Sequence, residues 1–174
     1  MVKARKSELT DVSARNGEIK MGYANLDLAR NFMVRVKHDA NIIEFISELA
    51  AKNGIKVATF TAIGALKRAK LAFYDQEKQE YHEIKLNAPY EIASCVGNIS
   101  MKNETHFVHA HVVLADKEGN TRAGHLLEGI VFATELHLQE LRGPKLERKN
   151  DTVTGLSLWD ITKIKAVENV HAKP

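Results

Sequence analysis

From Phe32 onward, apolar Phe32, Val34 and Val36 alternate with Met33, Arg35 and Lys37, the period of a half-buried strand. The period then changes. Ile42, Ile43, Ile46, Leu49 and Ala50 fall on one helical face, while Glu44, Glu48 and Lys52 lie mostly off it. Asp39 is the expected N-cap, because a short carboxylate can accept from free N–H groups of the first turn. Gly54 stands where a left-handed C-terminal cap is wanted. After it come short apolar runs bounded by turn residues: Ile55–Ile63, Lys70–Tyr74, Tyr81–Leu86, Tyr90–Ser100, His106–Leu114 and Ile130–Leu138. The segments Asp75–Lys78 and Asp116–Asn120 read as hairpin connections. One main helix among about seven strands predicts an α+β fold with a largely antiparallel sheet in a single domain.

The ends differ from the middle. Residues 1–28 are mostly polar and read as an N-terminal extension, and residues 29–141 as the core domain. Residues 142–174 read as a tail that docks on the core, with Arg142–Thr154 as loop and Gly155–Asp160 as a small apolar island. The chain of 174 residues is 44% hydrophobic and 27% charged, enough apolar material for a core. Its one cysteine, Cys95, rules out an internal disulfide and a Cys-rich zinc finger, and reads as a small buried hydrophobe. With no apolar run of membrane-spanning length and no signal-like N-terminus, a cytoplasmic protein without a membrane partner is expected.

Charge narrows the choice of partners. The formal net charge is +3, yet residues 21–141 hold 13 Lys+Arg against 15 Asp+Glu. A nucleic-acid-binding body usually carries a basic stripe; here the positive excess sits at the ends, in groups such as Lys3-Arg5-Lys6 and Lys145-Arg148-Lys149. DNA contact is therefore expected to be weak, non-specific and terminal.

The candidate chemistry lies in His106–Leu114 and in Gly124-His125-Leu126. Side chains alternate along a strand, so His109 and His111 share a face and His106 points away. A hairpin at Asp116–Asn120 brings His125 back beside the pair. Three imidazoles with an open fourth position suit a zinc-class ion; the alternative is three strand histidines that simply hydrogen-bond to neighbours. Glu91, sharing strand parity with Cys95, and Glu128, just past His125, are the candidate carboxylates for an acid–base or orienting role. Gly64, Gly97 and Gly124 suggest bulges or close backbone approaches.

Ile63-Gly64-Ala65-Leu66, Tyr90-Glu91-Ile92, Gly97-Asn98-Ile99-Ser100, His109-Ala110-His111-Val112-Val113-Leu114 and Gly124-His125-Leu126, in this order, resemble the plant- and prokaryote-conserved (PPC) domain in its prokaryotic branch. The resemblance spans roughly residues 30–141. It implies a compact α+β subunit assembled as a homotrimer, and distant fold similarity to the zinc enzyme acetolactate decarboxylase. Carried over by motif, His109, His111 and His125 are the implied metal ligands. Ala123 replaces the first glycine of the family's Gly-Gly-His-Leu, and Asn103-Glu104 replaces a Gly-containing turn. Arg142-Gly143-Pro144-Lys145 lacks the second arginine of an AT-hook. Three functions follow as expectations: a metal-binding oligomer with a regulatory or weakly DNA-associated role, a metal-dependent lyase or hydrolase acting on a small polar molecule, or a structural trimer.

Overall fold

The structure, a computed structural model, describes residues 24–160. Strand β1 (Asp27–Val36) leads into helix α1 (Ile42–Asn53). Then follow β2 (Ala58–Asp75), β3 (Glu80–Leu86), β4 (Tyr90–Lys102), β5 (Thr105–Ala115), β6 (Thr121–Arg142), β7 (Arg148–Asn150) and β8 (Ser157–Trp159). The main sheet runs β1-β6-β5-β4-β2-β3, every pairing antiparallel, and β6 also pairs with β2. That extra ladder closes β2, β4, β5 and β6 into a ring, with β5 joined to β6 over His111–Ala115 only. Inward positions such as Phe60, Leu66, Ile99, Val112, Leu114, Leu136 and Leu138 form one core, joined by Ile42, Ile46 and Ala50 of α1.

The strand count differs from expectation in two ways. Ala58–Ile63 of the first run and Lys70–Tyr74 belong to one strand, β2, and the run around His125 is continuous with Ile130–Leu138 in β6. The polar residues between them do not break the strands, because register shifts at several points let each strand bend while pairing continues. Gly64 marks a further shift, in the β2–β4 ladder, with φ +129° and room for no Cβ against the Ala133 carbonyl. Conversely, the polar tail holds two short strands, β7 and β8, which brings the total among the described residues to eight.

The helix cap also differs. Asp39 has φ +65° and pairs through Oδ1 with Lys67 Nζ at 2.6 Å. A left-handed residue cannot serve as an N-cap, which needs extended backbone. Asn41 takes that role: it is extended, and its Oδ1 accepts from Ile43 N at 3.2 Å. At the other end Gly54, at φ +66°, donates to the carbonyls of Ala50 and Ala51, as its position predicts.

The tail is sewn to the barrel. Met101 N donates to the Leu146 carbonyl at 2.9 Å, Leu146 is buried, and the Tyr74 hydroxyl donates to the Thr154 carbonyl. Among the described residues no helix is long and apolar enough to cross a membrane. Residues 1–23 and 161–174, including Lys3, Arg5 and Lys6, lie outside the described residues.

Candidate metal centre

Asp116 builds the hairpin that assembles the site. Its Oδ1 accepts from Glu118 N at 3.0 Å and Asn120 N at 2.8 Å, and Gly119 takes φ +81°. The turn returns β6 antiparallel to β5 with His125 directly opposite His111. His109 lies two residues up β5 on the same face, while Ala110, Val112 and Leu114 point into the core. The ring centroids form a near-equilateral triangle: 5.2 Å for His109–His111, 5.0 Å for His109–His125 and 5.5 Å for His111–His125. One ligand nitrogen from each ring lies within 4.8 Å of the other two. Tetrahedral zinc–nitrogen bonds of about 2.1 Å would bring such nitrogens to about 3.4 Å.

The electrostatics keep the rings neutral, the form that ligates a metal. Burial, together with His125, Arg148 and His111, pushes His109 down to about 4. His125 is lowered by burial and by its neighbours His111 and Arg148. At neutral pH His109 is unprotonated and offers a lone pair. His106 has the opposite parity, and its Nε2 is buried without a partner among the described residues.

The three rings open on a cavity of about 740 Å³ between the barrel and the tail, bordered also by Tyr74, Tyr81, Phe107 and Arg148. Neither candidate carboxylate reaches it. A bulge between Ile92 and Ser94 shifts strand parity, so Cys95 is buried while Glu91 faces solvent. Glu91 instead borders a separate cavity with Lys67 and Lys117. Glu128 follows another register shift and faces Arg68 at 3.7 Å. Cys95 is a core residue whose thiol burial pushes up to about 11.

Arg148 is the site residue that the sequence conceals. Within a polar, loop-like stretch it reads as one of three terminal cations. In the fold it is 6% exposed, and its guanidinium lies 4.8 Å from the Phe107 ring centroid. Its Nε donates to Ser100 Oγ, Nη1 to the Ser157 carbonyl and Nη2 to Asn98 Oδ1, at 2.8, 2.8 and 3.0 Å. Asn98 is the cross-strand partner of His109. Lys145 pairs with Glu104 and Glu147, and Lys149 with Asp160, so this group is not a free basic cluster. Only the tertiary fold gives Arg148 its place.

Among the described residues, an antiparallel barrel with one helix and a three-histidine cluster at a cavity defines a class of small α+β protein with metal-ligating potential. The comparisons narrow it. The Plants and Prokaryotes Conserved (PCC) domain matches residues 23–142, and the chain belongs to that family, the PPC domain of the sequence resemblance. A PPC protein of Pyrococcus horikoshii is 41% identical, with TM-score 0.77, over 80% of this chain and 97% of that one. A metal-containing protein of Archaeoglobus fulgidus is 38% identical, with TM-score 0.78, over 80% and 99%. A Bacteroides thetaiotaomicron protein, described as a "putative dna binding protein", is 22% identical with TM-score 0.71 over 79% and 98%, and shows the fold alone. Acetolactate decarboxylase of Bacillus subtilis aligns more remotely, at 11% identity and TM-score 0.45 over 75% and 60%. No curated protein matches the chain.

Proposed function

We propose that this protein binds a zinc-class ion through His109, His111 and His125, leaving the fourth coordination position open to the cavity. The observation that carries the reading is the convergence of three ligand nitrogens within 4.8 Å on two paired strands. The metal-containing relative from Archaeoglobus fulgidus supports it. A bound ion would supply Lewis acidity at the cavity floor; the rings hold and orient it, and the buried face of β5 fixes them in place. Metal analysis of the purified protein tests the reading: about one zinc per subunit is expected, and a protein devoid of transition metal would overturn it.

The open fourth position favours a second reading, a metal-dependent lyase or hydrolase acting on a small polar molecule. Glu91 and Glu128 lie away from the cavity, so neither serves as its general base. A side chain that could give a proton at the cavity is Tyr81, which burial keeps protonated and whose ring centroid lies 5.6 Å from that of His125. Turnover of a small substrate that stops with both metal removal and Tyr81→Phe would move the function to this reading.

A homotrimer is proposed from the family resemblance. Exposed apolar side chains such as Met33, Ile63 and Phe132 support association, and light scattering of the full chain should give three subunits rather than one. A regulatory role on DNA is the weaker reading. Arg148 is buried and Lys145 and Lys149 are paired, so contact would fall to the chain ends and be weak, with a shallow salt dependence. Tight, sequence-specific binding at physiological salt would reverse that ranking.

A further inference from the structure

The cavity is cationic before any metal arrives. Arg148 and Lys102 both border it, while no Asp or Glu does among the described residues. Lys102 Nζ donates to Ser157 Oγ at 2.7 Å and lies 5.6 Å from the Phe107 ring centroid. For Arg148 every hydrogen-bond partner is neutral: Ser100, Asn98 and the Ser157 carbonyl. No described carboxylate shapes its ionisation. A buried guanidinium normally has an anionic partner, because desolvating an uncompensated charge is costly.

The geometry of the guanidinium fits a missing anion. Three of its five N–H donors are used, leaving one on each Nη. Its three hydrogen bonds fix the group, with the Phe107 and Trp159 ring centroids 4.8 and 5.7 Å away, so little freedom is lost when a ligand binds. Through Asn98, the partner of His109, the cation sits beside the histidine cluster. Phe73, Tyr74 and Tyr81 border the same cavity, a lining that suits a carbon skeleton rather than a bare inorganic ion.

We propose that the cavity takes a small organic anion, with a carboxylate on Arg148 and a second oxygen directed to the three-histidine point. The second contact rests on the metal reading above; the first does not. Arg148 is then an anchor for the ligand of the metal centre, and Lys102 adds charge at the same wall.

The test uses the full chain at about 0.15 M ionic strength, where exposed charges are screened. Malonate is titrated calorimetrically into zinc-loaded and chelator-stripped protein, beside its uncharged counterpart malonamide. Malonate should bind with a preference of at least about tenfold over malonamide, and Arg148→Lys should lose about tenfold or more with circular dichroism unchanged. Equal binding of malonamide, no malonate binding to either form, or unchanged affinity in Arg148→Lys would overturn the proposal. The wild-type comparison decides even if the variant does not fold. A wild-type protein that holds no zinc but still prefers malonate would sink the metal reading and leave the Arg148 anchor standing.

Discussion

His111 and His125 are cross-strand partners, one on β5 and one on β6, with ring centroids 5.5 Å apart. Fourteen positions separate them in sequence, yet the Asp116 turn makes them neighbours. The metal prediction follows from this pairing. His109→Ala and His125→Ala should each lower zinc from about one ion per subunit to near none, since two imidazoles give a poor tetrahedral site. His106→Ala, on the opposite face, should keep its zinc. Elemental analysis after gel filtration reads the difference.

Acid should weaken the metal-free protein. His109 is held at about 4, against an ordinary value of 6.5. Between those values the unfolded chain binds the proton more readily than the folded one, so the His109 contribution to stability falls as pH drops from 6.5 towards 4 and is constant below. His109→Gln should flatten that part of the profile. Urea unfolding of chelator-treated protein across this range makes the comparison.

Helix α1 offers a test of the corrected cap. Asn41→Ala should destabilise the fold by about 1 kcal/mol, the usual cost of a lost N-cap. Asp39→Ala loses only an exposed pair with Lys67, and should cost less. Chemical denaturation of the two variants ranks them, and the reverse order would return the capping role to Asp39.

Gly97 lies beneath the site. A Cβ there would come within 2.2 Å of the Phe60 ring and 2.5 Å of the His109 carbonyl oxygen. The second atom is backbone of the strand that carries the cluster, so relief by side-chain rotation is not enough. Gly97→Ala should cost about 1–3 kcal/mol, as overpacking does, and should weaken zinc retention as well. A loss of stability with full zinc retention would show that the strain is absorbed by Phe60 alone.

Arg30 and Glu140 tie β1 to β6. Arg30 Nε and Nη2 donate to the two carboxylate oxygens of Glu140, which is 8% exposed. The hydrogen bond from Arg30 holds the Glu140 carboxyl below its ordinary 4.5. The stabilisation is therefore present above that value and is lost as pH falls through the lowered one. Arg30→Met should be less stable than wild type at pH 7, with the gap closing in acid. Thermal melts at both extremes measure it.

Local pattern alone determined much of this protein. The alternation around Phe32, the helical face of Ile42, Ile46 and Ala50, the Gly54 cap and the Asp116 turn depend on near neighbours, and each stands in the structure as its spacing predicts. The shared face of His109 and His111 follows from the two-residue period of a strand, and the hairpin carried His125 to them. What needed the tertiary structure were relationships set by distant chain segments. The β2–β6 ladder that closes the barrel joins residues more than fifty positions apart. Bulges reset the parity of Glu91 and Glu128, because one extra residue in a strand reverses every side chain beyond it. Arg148 sits in a stretch that is polar on its own terms, and nothing local marks it as buried. Phe107, Ser100 and Asn98 form its pocket only when β7 and β8 pack across β4 and β5. The burial of a charge is decided by what the rest of the chain places around it.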